Sequence, residues 1–428
     1  MAIEYVRRLA EKTLTDKLNS SGCVLVTGPK ACGKSTLCSR FAKSAVSLKT
    51  SNTIALANSD PTAMLKGEYP RLIDEWQKAP EIWNEIKNDL DKEYRFGKYI
   101  ITGSTTPINP HKIQHSGEGR ISTMSLKPFS LFESGESSGA ISLSTLFKQD
   151  APSNDKVYFL GNTSLFDIAY LLCRGGWPIS LLAKKEYAIM STQNYFNGLF
   201  TIENESDDFA YFLKNKDIEL LKLVLKSFAR NISTQAKKTK MISDILESGI
   251  RRKLDDETFS SYEKTLKDLF IIYDMAAWNL NLRTSVSVRT APTHHFVDTS
   301  IATAALGIEP IDLLKDLNSF GFFFEDFAVR DLSIYAESIN GKLKHYRDSS
   351  GQEVDAIIEL PNGDYCAIEI KITSEKNIND GLSSLSGFER KVVKNGSKMP
   401  KFKMILTSHG DCYIKNGVYI VPITALKD

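Results

Sequence analysis

Gly28-Pro29-Lys30-Ala31-Cys32-Gly33-Lys34-Ser35 follows directly on the apolar run Cys23-Val24-Leu25-Val26 and leads into Thr36-Leu37-Cys38-Ser39-Arg40-Phe41-Ala42. The apolar run predicts a buried strand, the glycine-bounded segment a tight loop, and the continuation a helix that begins near Lys34. Glycine is needed where the backbone turns so tightly that a Cβ would clash. The amides of such a loop and the positive end of the helix behind it face an anion. The stretch from Gly28 to Thr36 therefore predicts a phosphate cradle, with Lys34 reaching the β- and γ-phosphates of ATP and the Ser35 hydroxyl holding Mg²⁺. A glycine-rich turn without a ligand is the plainer alternative. The strand before it and the helix after it supply the context that the phosphate reading demands.

Two further segments belong with this loop. In YPRLIDEW, residues 69–76, Leu72 and Ile73 lead to Asp74 and Glu75 at a strand end. Asp74 suits the Mg²⁺ shell, and Glu75 suits polarisation of a water in line with the γ-phosphate. A solvated strand end is the competing reading. In KYIITGSTTP, residues 98–107, Tyr99, Ile100 and Ile101 form a short strand with Thr102 and Ser104 at its end. A polar side chain there can touch the γ-phosphate or the attacking water, although Gly-Ser-Thr after a strand is also an ordinary turn. Arg120, in a loop before the strand-like SLKPFSLFE, is either a surface residue or a finger for transition-state charge. The run Thr53-Ile54-Ala55-Leu56-Ala57 reads as a second strand.

Composition bounds the rest. The 428 residues suggest about three domains. A hydrophobic fraction of 42% and a charged fraction of 25% are those of a globular protein with ample core. The formal charge of +2 leaves any nucleic-acid surface to local clusters. The six cysteines lack zinc-type spacing and read as core residues in a reducing compartment. No apolar stretch approaches a membrane span. The N-terminus reads as a leading amphipathic helix without a signal-peptide pattern. A cytoplasmic location without membrane attachment is the expectation.

GPKACGKS, LIDEWQKAPE, YIITGSTTP and GRISTMSLKPFSLFE, in that order over residues 20–133, resemble a family of bacterial and archaeal AAA-type ATPases. Its usual wording is close to GPRQVGKTT, LIDEIQ-x-x-P, LTGSS, and GR followed by PLSL-x-E. The resemblance implies Lys34 and Ser35 for phosphate and Mg²⁺, Asp74 for Mg²⁺, Glu75 for water activation and Ser104 as a sensor. Arg120 matches the GR position, where AAA architecture implies a finger that acts on a neighbouring subunit. Lys30-Ala31-Cys32 stands where the family commonly has Arg-Gln-Val, which bears on the tuning of the loop.

Residues 134–164, rich in Ser, Gly, Asn and Asp and interrupted by Pro152, read as a linker. From about Leu165 to Asn215 the pattern is helical, with a break at Trp177-Pro178. It fits the small lid of AAA-type ATPases, as would any helical spacer. IELLKLVLKSFARNI (218–232), MISDILESGIRRK (241–253) and FSSYEKTLKDLFIIYDM (259–275) then predict three helices, and RTSVSVRT (283–290) and THHFVDT (293–299) two short strands. Three helices and a ribbon outline a winged helix, whose third helix can enter a DNA major groove. Lys237, Lys238, Lys240, Arg251, Arg252 and Lys253 form a basic cluster nearby. A packing or dimerisation module fits the same pattern. His294 and His295 point to opposite strand faces and read as structural.

The second informative constellation lies near the end. GFFFEDFAVRDLSIYAE (321–337) predicts a helix with Glu325 near its start. HYRDSSGQEVDAIIEL (345–360) places Asp355 in an apolar strand, PNGD is a hairpin turn, and CAIEIKI (366–372) is the next strand. Alternation sets Glu369 and Lys371 on one face, with Asp355 opposite. Converging carboxylates repel unless a divalent cation sits between them, and Lys371 beside them suits a water attacking phosphorus. An edge hairpin with an exposed E-x-K pair is the plain alternative. The set resembles the PD-(D/E)xK nuclease superfamily, and FEDF, GQEVD and IEIK match the uncharacterised C-terminal domain usually fused to this ATPase family. The resemblance implies Glu325, Asp355 and Glu369 as ligands of Mg²⁺ or Mn²⁺, with Lys371 catalytic. Val354 stands where the motif has proline. Arg390, Lys391, Lys394, Lys398, Lys401 and Lys403 form a basic stretch that either tracks phosphates or is a solvated face.

The expected architecture is an α/β protein. It has an AAA-type P-loop NTPase core with a parallel sheet (1–145), a helical lid (146–215), a winged-helix-like unit (216–310) and a restriction-endonuclease-like α/β domain (320–428). The expected function is ATP hydrolysis coupled to DNA binding or processing, with ATP/ADP and DNA as partners and a homo-oligomer as the expected assembly. The alternative is an ATP-switched DNA-binding or scaffold protein whose C-terminal domain does not cut.

Overall fold

The computed structural model describes residues 5–105, 117–149, 157–200, 212–213, 216–247, 254–280 and 291–428. Five strands build the first sheet: β1 (Cys23–Thr27), β2 (Ser44–Ser47), β3 (Arg71–Asp74), β4 (Tyr99–Gly103) and β5 (Ile121–Ser125). Their order is β2-β3-β4-β1-β5, and every pairing is parallel. Parallel strands are covered on both faces, which explains the unbroken apolar runs. Val24, Val26, Leu72 and Ile100 pack into one core, and Cys23, Leu25, Ile73 and Ile101 into the core on the other side. The phosphate loop leaves the end of central β1 and enters the helix Lys34–Ser39.

The second strand is not where the sequence suggested. Thr53 to Ala57 lie in the helix Ser51–Ser59, because the Thr50 side chain caps it by accepting from the Thr53 N–H. Only Ala57 of that helix is buried, so Ile54 and Leu56 do not mark a core strand. The strand is Ser44–Ser47 instead.

The segment expected as a linker is sewn into the C-terminal domain. β6 (Ile141–Ser142) is followed by β7 (Val157–Phe159), which lies antiparallel at the edge of the second sheet. The Ser137 and Ser142 hydroxyls donate to the carbonyls of Leu426 and Asp428. Main-chain pairing over two or three residues leaves no apolar periodicity to read. Helices Leu165–Arg174, Pro178–Leu182 and Lys185–Gly198 follow, with the break at Trp177-Pro178 where it was expected.

In the middle unit the helices are Ile218–Arg230, Lys238–Glu247 and Asp256–Asp268. The third is shorter than predicted. Phe270 turns to a φ of 54°, and the β-branched and aromatic residues after it form β8 (Ile272–Met275). β8 pairs antiparallel with β9 (Thr293–Phe296), so the ribbon uses a segment that helical periodicity had claimed. RTSVSVRT, Arg251, Arg252 and Lys253 lie outside the described residues.

The C-terminal sheet contains β10 (Lys342–Arg347), β11 (Glu353–Glu359), β12 (Tyr365–Lys371), β13 (Lys403–Thr407), β14 (Cys412–Lys415) and β15 (Val418–Pro422). Its order is β10-β11-β12-β13-β15-β14-β7. β12, β13 and β15 run parallel, and β10-β11-β12 form an antiparallel meander. A last short strand, β16 (Leu426–Lys427), pairs with β6. Helix Glu375–Lys394 covers one face of the sheet. The other face meets helix Leu317–Ser338, whose 22 residues span about 33 Å. Phe320, Phe324, Phe327, Leu332 and Tyr335 of this helix join one continuous core with Val24 of the first sheet, Phe228 of the middle unit and Ile368 of the second sheet. The parts are therefore packed on one another rather than strung along the chain.

Candidate nucleotide site and C-terminal acidic site

At the phosphate loop, a Cβ on Gly28 would stand 2.1 Å from the Leu126 carbonyl oxygen, and φ there is 147°, so only glycine fits. Gly33 turns at a φ of 102° into the helix. Lys34 is buried, and its ammonium donates to the carbonyls of Gly28 (2.9 Å) and Pro29 (2.7 Å). Those carbonyls hold the charge in the position from which it can transfer to a phosphate. Ser35 Oγ donates to Asp74 Oδ1 at 2.6 Å, Thr102 Oγ1 donates to the same oxygen at 2.6 Å, and Lys49 pairs with Oδ2 at 2.8 Å. Burial pushes the Asp74 carboxyl up. Hydrogen bonds from Lys49, Ser35 and Thr102 outweigh it and hold the group below the usual range. A hydroxyl and an ionised carboxylate at the loop are the hard oxygen ligands that Mg²⁺ takes, so the residues present fit Mg²⁺-ATP.

Glu75 follows Asp74 in left-handed backbone, with φ 64°. Such a conformation in a non-glycine residue persists where its surroundings impose it. Here the Glu75 N–H donates to Thr102 Oγ1, and Oε2 accepts from Ser104 Oγ at 2.8 Å and from the Gln77 carboxamide at 2.5 Å. The structure thus brings Lys34, Ser35, Asp74, Glu75 and Ser104 together at the strand ends. Arg120 is not among them. It precedes β5, and its carbonyl accepts from the Cys23 N–H at the start of β1. About five residues of strand, roughly 16 Å, separate it from the loop of its own chain. It pairs there with Asp91.

The sequence missed four neighbours of the site. Arg8 is buried, donating to the Cys32 carbonyl in the loop (3.1 Å), to the Lys127 carbonyl (2.7 Å) and to Glu133 (3.0 Å). Glu133 also accepts from the N–H groups of Leu9 and Ser130. Tyr195, on the helix Lys185–Gly198, donates to the Lys30 carbonyl at 2.9 Å. Lys49 lies between β2 and its helix with no local pattern to flag it. Only Glu133, the last letter of SLFE, carried a signal.

In the C-terminal domain the second constellation also converges. Lys371 Nζ lies 2.9 Å from Asp355 Oδ2 and 2.7 Å from Glu369 Oε2. Asp355 also accepts from the Ile370 N–H (2.7 Å), and Glu369 from Ser384 Oγ (2.8 Å). Glu325 sits two turns into helix Leu317–Ser338, further in than expected, because the helix starts before Gly321. Burial, with Asp355 and Glu369 nearby, pushes Glu325 well above the usual carboxyl range. Burial and the Asp355 charge push Glu369 up to about 8, against the pull of Lys371. Burial lowers the Lys371 ammonium, but Asp355 and Glu369 outweigh it and raise it. Three acids share one lysine. The oxygen donors suit a hard divalent cation. As the side chains stand, Lys371 spans the carboxylates, and no group of three or more His, Cys, Asp or Glu is close enough to hold a metal among the described residues.

The basic stretch is partly consumed by the fold. Lys391 pairs with Asp348, Lys398 with Asp364 and Lys403 with Glu389. His295 is fully buried against Asp326 at 3.0 Å, and His294 meets Asp274 at 2.9 Å, consistent with structural roles. All six cysteines are free and buried.

Residues 20–134 match the family model of an AAA domain. This segment is a P-loop ATPase domain of AAA type. The ATPase domain is followed by two matches to domains of unknown function, DUF8612 over residues 165–312 and DUF4143 over residues 320–426. The chain is 22% identical over 382 residues to the uncharacterized protein Rv2008c of Mycobacterium tuberculosis and, equally, to the uncharacterized protein Mb2031c of Mycobacterium bovis. Each match covers 88% of this chain and 76% of the relative. A Walker-type ATPase of Pyrococcus abyssi, PABY2304, is 14% identical with a TM-score of 0.43, covering 71% of this chain and 96% of that one. Among the described residues no helix is long and apolar enough to cross a membrane.

Proposed function

We propose that this ATPase couples its nucleotide cycle to DNA held by the C-terminal domain. At the ATPase site, Lys34 leaves the Gly28 and Pro29 carbonyls for the phosphates, while the loop from Gly28 through Pro29, Lys30, Ala31, Cys32 and Gly33 to Thr36 cradles them. Ser35 and Asp74 hold Mg²⁺, which neutralises phosphate charge when bound. Glu75 orients the attacking water, and Ser104 fixes Glu75 through its hydrogen bond. Arg120, remote from its own loop, serves a neighbouring copy in a homo-oligomer. The buried free cysteines support a reducing, cytoplasmic setting.

The observation that carries the coupling is the shared helix Leu317–Ser338. Its C-terminal half touches the ATPase domain: Asp331 accepts from the Leu131 N–H at 2.9 Å, and Lys127 donates to Ser333. Its N-terminal half carries Glu325 to the acidic site. A shift of residues 127–133 as the loop fills with nucleotide is thereby conveyed to that site. There Asp355 and Glu369, now bridged by Lys371, would take up Mg²⁺ or Mn²⁺ with Glu325 only once Lys371 withdraws and the three side chains close in, and Lys371 would then position water for phosphodiester attack. The acid excess over lysine supports this reading. A second reading, DNA binding without cutting, is supported by Lys371 spanning both carboxylates. The test is to incubate the full chain with single-stranded, duplex and branched DNA, with and without ATP and Mn²⁺, beside Asp355→Asn. Cleavage lost in that variant supports processing. Binding without cleavage of any form supports the second reading, and no binding of any form defeats both.

A further inference from the structure

A cavity of about 600 Å³ lies where the three parts of the chain meet. Pro29 of the phosphate loop and Lys127 wall it from the ATPase domain, Phe270 and Tyr273 from the middle unit, and Ser333 and Lys342 from the C-terminal side. Its size is that of a small-molecule pocket. The Lys127 ammonium lies between two of these walls, donating to the Ser333 hydroxyl and standing 4.4 Å from the centre of the Tyr273 ring. Burial lowers its pKa, as it does for a desolvated cation. Among the described residues no carboxylate forms an ion pair with Lys127 or with the exposed Lys342. Of the other lysines in the lining, Lys267 pairs with Asp274 and Lys344 with Glu359. That leaves Lys127 and Lys342 against Glu337, a net positive cavity.

Phe270 is an independent sign of a ligand. It follows the C-cap of helix Asp256–Asp268 at φ 54°, with its N–H on the Lys267 carbonyl and the Ile271 N–H on the Leu266 carbonyl, both at 2.9 Å. Glycine is the usual residue in that turn. An aromatic held there against its own backbone preference, partly exposed and lining the cavity, offers a flat surface to a ring.

We propose that this cavity is a second nucleotide site, which takes a mononucleotide and is separate from both the ATP site and the acidic site. The base lies on Phe270, and the phosphate meets Lys127 and Lys342. Buried charges are normally paired, and the phosphate is the counter-ion that Lys127 lacks. The Tyr273 ring is already engaged by Lys127 and by His295, whose ring centre is 5.8 Å away, so Phe270 is the wall that a base can use. Walls drawn from three parts of the chain enclose a small ligand, whereas a nucleic-acid strand needs a groove that follows its backbone.

The test is isothermal titration calorimetry on the full-length Lys34→Ala chain, which removes ATP-site binding from the readout. The probes are thymidine 5′-monophosphate, thymidine, inorganic phosphate and a short single-stranded oligonucleotide. The monophosphate should bind more tightly than thymidine, which lacks the anion, and than phosphate, which lacks the ring. Adding Lys127→Met should weaken it by about 10- to 150-fold, the range for loss of a charge-assisted hydrogen bond, with Lys127→Arg recovering part of the loss. Phe270→Gly, whose backbone suits φ 54°, should weaken it by about 5- to 150-fold, the range for loss of one stacked base. Lys342→Ala changes an exposed side chain, so a loss of binding there is not a loss of fold. A monophosphate that binds no more tightly than thymidine, or equally well in the Phe270→Gly and Lys342→Ala chains, overturns the site. Binding of the oligonucleotide but not of the monophosphate, lost in the same variants, makes the cavity a strand site and overturns the mononucleotide.

Discussion

Arg8 and Glu133, 125 residues apart in sequence, form a buried ion pair with Nε 3.0 Å from Oε1. Their side chains are 3% and 1% exposed. The same guanidinium holds the Cys32 carbonyl of the phosphate loop and the Lys127 carbonyl of the segment that touches helix Leu317–Ser338. The segment just before the leading helix Ala10–Leu18 is thus a brace between the nucleotide loop and the contact with the C-terminal domain.

That brace has a measurable weight. Arg8→Met should destabilise the chain by about 3–5 kcal/mol, because it leaves Glu133 buried without its cation. Chemical denaturation of wild type and variant measures this, and ATP affinity should fall with it because the Cys32 carbonyl loses its donor. A variant with wild-type stability and affinity would show that the pair is incidental.

At the loop, Lys34→Ala should abolish ATP binding, whereas Glu75→Gln should bind ATP and lose hydrolysis. Ser104→Ala should lower turnover more than affinity, since Ser104 reaches Glu75 rather than the loop. Nucleotide-binding titrations beside phosphate-release assays separate the two effects. Wild-type hydrolysis by Glu75→Gln would remove Glu75 from its assigned role.

Arg120 lies at the far end of the sheet from its own loop, so the proposed finger would have to come from a second copy. Specific ATPase activity should rise with protein concentration, and Arg120→Ala should lose up to ~10³-fold in turnover with little change in binding. Constant specific activity across a wide dilution series would argue against a finger supplied by a neighbour.

Much of the site was legible in the sequence because its chemistry is local. Gly28 to Ser35, Asp74-Glu75 and Ser104 each sit at the end of an apolar strand, and Glu369-x-Lys371 declares itself by alternation. Arg8, Lys49 and Tyr195 were not legible, because each meets the site only through tertiary packing. The strand at 44–47 was missed because Ser-Ala-Val-Ser has almost no apolar signal, while the capped helix after it contains Ile54 and Leu56. β7 was hidden for a related reason: an edge strand of three residues is specified by its partner β14 rather than by its own pattern.

Asp348 offers a test by pH. Burial pushes its carboxyl up, but hydrogen bonds from Lys391, Ser350 and Tyr346 outweigh it, so the folded pKa lies below the unfolded value. The stabilisation is therefore present above the unfolded carboxyl range, near pH 4, and is lost as pH falls through the folded value. Asp348→Asn should melt below wild type at pH 7, and the gap should close as the solution is acidified. A gap that persists unchanged at low pH would place the effect in packing rather than charge.

In the proposed cycle the phosphate loop and the C-terminal domain are coupled through helix Leu317–Ser338. The most direct measurement is the DNA affinity of the full-length Glu75→Gln chain with and without saturating ATP, which holds the bound state without turnover. Coupling is reciprocal, so a nucleotide-induced change in DNA affinity must be matched by an equal change in ATP affinity on adding DNA. A shift of about 5- to 150-fold is expected in both, abolished by Asp331→Asn at the junction with Leu131. DNA affinity that is identical in the two nucleotide states, with ATP affinity likewise indifferent to DNA, would contradict it.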